Sequence, residues 1–261
     1  MKIKRELLRE KAWRSSCRDI IDECLKEKDY ESFINVCCNP NLTENDINNI
    51  YKKHKNSNDC FILGRIGSNE ATPIDIYDEL FRHENPHILR EVVRSKNLTL
   101  EQAYEVMTHP SRDVRIMLTH NRFLPSFFLE EYAKYLMEEN NEDLLDYLIR
   151  NENLAMKIVR EICTKFPSCV TQGILNGKID EDTLEFIYNN ISLDKIAKKF
   201  LYNNEKCPSW ILKDVFMKED DLKNKRDILN HIKSRKMVDL YKELSLLLLE
   251  IECSEMYKNL I

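Results

Sequence analysis

Residues 39–43 read Asn-Pro-Asn-Leu-Thr, and variants of this segment return along the chain at regular distances. Residues 95–99 read Ser-Lys-Asn-Leu-Thr, residues 121–125 read Asn-Arg-Phe-Leu-Pro, and residues 151–155 read Asn-Glu-Asn-Leu-Ala. We call the last residue of each copy the anchor. The anchors follow one another at 25 to 30 residues and are Thr43, Pro73, Thr99, Pro125, Ala155, Asp180, Pro208 and Ser234. A period of this length predicts a repeat protein.

Other positions keep the same period. The position four residues before the anchor, which we call the asparagine column, is Asn in seven of eight copies: Asn39, Asn69, Ser95, Asn121, Asn151, Asn176, Asn204 and Asn230. The residue before the anchor is apolar in six of the eight copies. Apolar residues also stand four and seven residues after each anchor, from Ile47 and Ile50 to Val238 and Tyr241. That spacing places a stripe on one face of a helix.

Each unit predicts a pair of helices. The anchor is Thr, Ser, Asp or Pro in seven of eight copies, and these residues begin helices. A polar turn containing residues such as Asn85 or Ser111 then begins the second helix. We expect the asparagine column to be a structural ladder that ends each second helix. Asn tolerates the left-handed conformation of a helix C-terminus, and the chain has only four glycines.

One pair cannot bury its apolar stripe alone, but stacked pairs can. The predicted fold is therefore all-α: a right-handed α-solenoid of about eight two-helix repeats of 25–30 residues, forming a single domain over residues 1–261. We expect N-terminal cap helices in residues 1–38, repeats in residues 39–232, and a C-terminal cap helix in residues 233–261.

The segments Asn39-Pro40-Asn41-Leu42-Thr43 and His109-Pro110-Ser111-Arg112-Asp113-Val114-Arg115 resemble those between the helix pairs of variant leucine-rich repeat proteins. HEAT-like helical repeats are a looser resemblance. The likeness covers about residues 31–232 and implies a helix-pair architecture, although the units here are longer than in that family. An N-terminal iron–sulfur domain is associated with the same family.

Two sequence features suggest metal binding. His83-Glu84-Asn85-Pro86-His87 matches the zinc-protease pattern H-E-x-x-H, but Pro86 is incompatible with the one continuous helix that this pattern needs. The nine cysteines include no C-x-x-C pair. We expect Cys24, Cys163 and Cys207 to pack as small apolar residues, and we expect no cofactor and no metal site. A metalloprotein using cysteines between Cys17 and Cys60, or the two histidines, is the alternative.

An Arg-rich stretch is the candidate binding surface. Residues 61–122 contain seven Arg, one Lys and four of the six His, and also nine acidic residues. The expected partner-binding or anion-binding residues lie on or near second helices: Arg65, Arg90, Arg94, Arg115, His120 and Arg122. Arg binds phosphate and carboxylate bidentately. The alternative is that these side chains form solvated ion pairs with Glu84, Glu91, Glu101, Glu105 and Asp113.

Charge and hydropathy restrict the classes of protein to which this chain can belong. The net charge is −5, and the whole excess of acidic residues falls after residue 122, which does not favour a basic nucleic-acid binder. No apolar run is long enough for a membrane helix, and residues 1–9 lack an apolar signal core, so we expect a cytoplasmic protein without membrane association. No catalytic constellation is evident.

We therefore expect a non-catalytic scaffold that binds a macromolecular partner, with a protein favoured. The alternative is a nucleic-acid or anion binder that uses the Arg-rich face of residues 61–122, including a HEAT-like DNA-processing protein by fold analogy.

Overall fold

The computed structural model describes residues 12–26, 30–57 and 59–258, with side chains as far as residue 254. Within these ranges all regular structure is helical and no strand occurs. The chain divides into two compact units, Met1–Tyr132 and Ala133–Ile261. Part of the predicted N-terminal cap, residues 1–11 and 27–29, lies outside the described residues.

The first unit contains helices α1 (Arg18–Lys26), α2 (Tyr30–Cys37), α3 (Glu44–His54), α4 (Cys60–Gly67), α5 (Ile74–Phe81), α6 (Pro86–Val92), α7 (Leu100–Met107) and α8 (Arg112–Thr119). The boundary between the units falls inside α9 (Ser126–Glu138). The second unit continues with α10 (Glu142–Leu148), α11 (Met156–Lys165), a 3-10 turn (Pro167–Cys169), α12 (Val170–Ile174), α13 (Glu181–Asn190), α14 (Lys195–Asn203), α15 (Ser209–Lys218), α16 (Leu222–Ser234) and α17 (Val238–Lys258).

The anchors begin helices as the sequence predicts. Seven of the eight stand directly before a helix, and Ser234 is the exception. Thr43 and Thr99 form capping boxes, in which the Thr hydroxyl accepts a hydrogen bond from the third helical residue, whose own side chain accepts from the Thr N–H. Asp180 accepts from the N–H of Thr183 at 2.8 Å. These side chains satisfy N–H groups that a helix start otherwise leaves without partners.

The apolar stripe lies in the core for seven of the eight pairs. The residues four and seven positions after the anchor are buried: Ile47, Ile50, Tyr77, Leu80, Ala103, Val106, Leu129, Tyr132, Val159, Ile162, Leu184, Ile187, Leu212 and Val215. Val238, in the eighth pair, is exposed, so the prediction is wrong there. In the second helices, apolar residues three positions before the asparagine column are also buried: Val36, Ile66, Val92, Leu118, Leu148 and Leu201.

Members of the asparagine column link a helix pair to the turn of the pair before it. The Asn69 amide donates through Nδ2 to the carbonyls of Cys37 at 3.0 Å and Asn39 at 2.9 Å. Its Oδ1 accepts from the N–H of Ala71 at 2.9 Å. The same arrangement joins Asn121 to Val93, Ser95 and Phe123, and Asn176 to Ile149, Asn151 and Lys178.

Two members of the column vary this bridge. Asn39 donates to the carbonyls of Ala12 and Ser15, and Asn204 donates to the carbonyl of Ile174. Every one of these bonds still reaches 24 to 30 residues back along the chain. The amide therefore spans one repeat period wherever it takes part in the bridge.

Ser95, the one serine in the column, is too short to span this distance. Its hydroxyl accepts from the N–H of Asn97 at 3.2 Å, and the Asn97 amide donates to the carbonyl of Thr72 at 3.1 Å. An asparagine two residues later therefore supplies the link to the preceding pair.

The expected backbone conformation of the column is wrong. Among the described residues other than glycine, only Asn140 and Lys236 have a positive φ, at 52° and 59°, and neither belongs to the column. The second helices close instead by a tight turn, as where the Asn69 N–H donates to the carbonyl of Ile66 at 3.0 Å. This three-residue turn needs no left-handed residue.

Asn230 is a second correction. It lies exposed inside α16, which continues to Ser234, and so it neither ends a helix nor supplies the ladder position expected of it. The chain leaves α16 through the left-handed Lys236, and the final helix begins at Val238, three residues later than the anchor Ser234 predicts. Arg235 makes the link to the preceding pair here, because its Nη1 donates to the carbonyl of Cys207 at 2.6 Å.

The contrast between Asn176, which makes the bridge, and Asn230, which does not, supplies a matched test. Asn176→Ala removes a buried amide and leaves two carbonyls and one N–H without their partner, so we expect a loss of about 2–3 kcal/mol in the free energy of unfolding. Asn230→Ala in the same unit should change it by less than about 0.5 kcal/mol. Urea unfolding followed by circular dichroism measures both, and equal losses would contradict the bridging role.

Candidate anion-binding site

Two glycines bring α4 and α6 close together. A Cβ at Gly64 would stand 3.0 Å from Cβ and Cγ of Glu91, and one at Gly67 would stand 2.6 Å from Cγ2 of Val92. Both glycines lie on the α4 face that packs on α6, three residues apart and so less than one helical turn from each other. The stem of Glu91 can lie against α4 only because position 64 has no side chain.

Glu91 is the centre of a cluster of three arginines. Arg90 donates to its Oε1 from Nε at 3.2 Å and from Nη2 at 3.0 Å. Arg65 Nη1 lies 3.5 Å and Arg94 Nη1 lies 3.8 Å from its Oε2. The Glu91 side chain is 12% exposed, whereas those of the three arginines are 34–49% exposed. The carboxylate is enclosed while the guanidinium groups still reach solvent.

The cluster keeps unused hydrogen-bond donors. Arg65 and Arg94 pair with Glu91 only at ion-pair distance, and neither guanidinium donates a hydrogen bond to another residue in the described part of the chain. Each guanidinium carries five N–H groups in a planar fork. Three positive charges around one negative charge leave an excess of two. The arrangement can therefore bind an anion without first breaking a strong internal bond.

A cavity of about 300 Å³ opens beside this cluster. Its lining includes Cys60, Phe61 and His87 together with Arg65, Arg90 and Glu91. The Phe61 side chain is 58% exposed, which gives the cavity an apolar wall next to the charged one. We call these residues together with Arg94 the Glu91 site.

Cys38 lies within electrostatic reach of the Glu91 site. Burial raises the pKa of its thiol above the ordinary value, and Glu91 raises it further, while the positive charges of Arg65 and Arg94 act in the opposite sense. Burial prevails because the thiolate would lose more solvation than the arginines return. Cys38 is therefore a neutral thiol beside the site and adds no negative charge to it.

The six predicted binding residues do not all share one set of contacts. Arg65, Arg90 and Arg94 meet at Glu91, whereas Arg122 lies 3.6 Å from Glu70 with its guanidinium 5.0 Å from the Phe123 ring centroid. His120 follows α8, with Nδ1 2.9 Å from the carbonyl oxygen of Ile116, and Arg115 lies half-buried on α8.

Sequence reasoning missed most of this geometry. In the sequence Glu91 is only one of five acidic residues that could pair with these arginines, and no pattern distinguishes it from the other four. Phe61, Cys60 and His87 were not expected in the site. A usable signal was present in the glycines, because two of the four in the chain fall in the eight residues of α4. Paired glycines on one helical face indicate a close helix neighbour.

Neither the H-E-x-x-H match nor the cysteines form a metal-ligand cluster in the described residues. Asn85 caps α6 and Pro86 is its first residue, so His83 precedes the helix that carries His87. All nine cysteines are free thiols, and Cys24, Cys163 and Cys207 are buried as the packing prediction requires. No group of three or more His, Cys, Asp or Glu side chains in these residues has the arrangement of a metal site.

The described helices also include none that is long and apolar enough to cross a membrane. Fold and site together define an all-helical protein with a compact cationic cluster. No family model, curated protein or solved structure matches the chain.

The balance of charge at Glu91 can be tested by Glu91→Gln. The change removes the negative charge that separates three guanidinium groups, so we expect a loss of about 1–3 kcal/mol in the free energy of unfolding. The loss should be smaller in 1 M NaCl, because a Debye screening length of about 3 Å weakens the repulsion among the three arginines. Urea unfolding at two salt concentrations measures it.

Glu70→Gln is the matched control. Glu70 is about half exposed and pairs at 3.6 Å with Lys96 and Arg122, so the change should stay within about 0.5 kcal/mol. A Glu91→Gln effect that is as small as this, or that does not respond to salt, would refute the central role of Glu91.

Proposed function

We propose that this chain is a non-catalytic helical-repeat scaffold of the cytoplasm that binds a protein partner. In this proposal it is a right-handed α-solenoid of about eight two-helix repeats, with helical caps, akin to the variant leucine-rich and HEAT-like repeats. The observation that carries the proposal is the asparagine bridge. In both compact halves of the chain it ties one helix pair to the turn of the pair before it. Stacked pairs of this kind create extended surfaces that suit protein partners.

Exposed apolar side chains at the start of first helices support a protein partner. Ile74 and Leu100 are each the first residue after an anchor, and Phe127 is the second. All three are exposed, at 58%, 39% and 51%. Aromatic and aliphatic side chains of this kind supply the buried contacts of protein interfaces. Single exposed apolar residues are ordinary, so their recurrence in the first turn of three first helices is what matters here.

The Arg-rich stretch favours a local contact over a long nucleic-acid track. Glu91 offsets part of the charge of Arg65, Arg90 and Arg94, and Glu70 pairs with Lys96 and Arg122. Binding to a nucleic-acid backbone uses many cations that face phosphates along the strand. A short cationic site bordered by Phe61 matches one acidic or phosphorylated group on a protein surface better.

Affinity capture tests the protein-binding proposal. Purified chain should retain a protein from native lysate after nuclease treatment, and Arg65→Glu with Arg94→Glu should reduce its recovery by about tenfold or more, since two attractive charges become repulsive. Lys198→Glu with Lys199→Glu, on the exposed face of α14, reverses the same charge elsewhere and should leave recovery unchanged. Quantitative mass spectrometry gives the readout. Failure to retain any protein from the nuclease-treated lysate would contradict the proposal.

The nucleic-acid alternative has a separate test. Phosphate contacts weaken steeply with salt, so a backbone binder must show affinity first at low ionic strength. We expect fluorescence anisotropy to detect no binding of labelled DNA or RNA at about 50 mM salt. Binding that disappears at about 200 mM salt and on Arg65→Glu with Arg94→Glu would support the alternative instead.

A further inference from the structure

We infer that the Glu91 site binds a phosphate monoester carried by a side chain of the protein partner. The inference rests on the proposed function for the existence of that partner. The binding chemistry rests on the arginine cluster, its charge and the adjoining cavity alone. The phosphorylated group would lie on Arg65, which lines the cavity, with its carbon portion against Phe61, and Arg94 would add positive charge beside Glu91.

Charge selects the ligand class. Three guanidinium groups and one enclosed carboxylate leave two positive charges at the site. A phosphorylated side chain carries about −1.5 to −2 at neutral pH, which matches this excess. A carboxylate or a phosphodiester carries a single negative charge and would leave the cluster half compensated. The site is therefore better matched to a monoester than to an acidic side chain or a nucleic-acid backbone.

Geometry supports the same ligand. Arg binds phosphate through two parallel N–H···O bonds, and both Arg65 and Arg94 present unused forks. Glu91 pairs with both arginines, and its stem lies against α4 at Gly64, where no side chain intervenes. The guanidinium groups are thus partly ordered before a ligand arrives, which reduces the entropy lost on binding.

The cavity limits the size of the ligand. Its volume of about 300 Å³ is at the lower end of the range for small-molecule sites. One phosphorylated side chain fits such a space, while a free nucleotide would be a tight fit. Phe61 lines the wall and offers a surface on which an aromatic carrier of the phosphate could stack.

Phenyl phosphate is the direct probe, and phenyl sulfate is its matched control with one negative charge fewer. At pH 7.5 we expect calorimetry to show phenyl phosphate binding at least about tenfold more tightly than phenyl sulfate. Lowering the pH to 5 should weaken phenyl phosphate toward the phenyl sulfate value, because the second phosphate pKa is about 6. Equal binding of the two probes, or no binding of either, would overturn the inference.

Variants locate the probe on the protein. Arg65→Gln with Arg94→Gln should lower the affinity for phenyl phosphate by at least about tenfold, because both free forks are lost. Arg122→Gln removes an arginine that is 78% exposed and pairs with Glu70, and it should change nothing. Unchanged affinity in the double variant, with its helical content intact, would refute the assignment.

A measurement on the protein without substitutions tests the ligand's position independently of whether the double variant folds. Cys60 lines the cavity, whereas Cys253 is exposed on α17 in the other unit. Phenyl phosphate should slow alkylation of Cys60 by iodoacetamide and leave Cys253 unaffected, as followed by peptide mass spectrometry. Equal rates at Cys60 with and without the probe would place the ligand elsewhere.

Phosphatase treatment of the lysate separates this inference from the proposed function. Loss of the captured protein after dephosphorylation supports the inference. Capture that is unchanged by phosphatase contradicts it and leaves the scaffold proposal standing. Binding of phenyl phosphate with no protein captured under any condition contradicts the scaffold proposal and retains the anion site. Release of inorganic phosphate from the probe would contradict the non-catalytic assignment.

Discussion

The buried asparagine amide is the interaction on which this fold depends. A helix C-terminus leaves carbonyl groups without partners, and burying them unsatisfied is costly. Asn69, Asn121 and Asn176 answer this with one side chain that donates two hydrogen bonds backward and accepts one forward. Aspartate lacks the donor and serine lacks the reach, as Ser95 illustrates by its reliance on Asn97. The two donors, the acceptor and the length of the asparagine side chain thus explain why asparagine recurs.

The sequence was sufficient to predict the helix pairs, because each boundary has a local cause. Thr43, Thr99 and Asp180 cap helices through side chains that can be read directly, and the apolar stripe follows from helical periodicity. The role of the asparagine column could not be read in the same way. Its two partners lie about one period earlier, and a single sequence contains no information on where those carbonyls point. The local explanation, a left-handed residue at the end of each second helix, is therefore wrong.

Asn230 shows the limit of the repeat argument. It matches the column by spacing, yet α16 runs through it and ends at Ser234. The residue before the predicted anchor is Lys233 here, whereas six of the other seven copies have an apolar residue at this position. Arg235 then restores the backward link with a longer side chain. The hydrogen bond to the preceding pair is retained although a different residue donates it. This indicates that the fold requires the bond and not the asparagine as such.

The Glu91 site follows from the same helix packing. Because Gly64 lets α6 approach α4, the acid on α6 meets arginines from both helices and from the turn after α6. Without the acid, three adjacent guanidinium groups would repel one another and attract any polyanion. With it, they are held in place and their excess charge is limited to two. A carboxylate that partly neutralises a cationic site thus sharpens what the site can distinguish, because the residual charge must match that of the ligand.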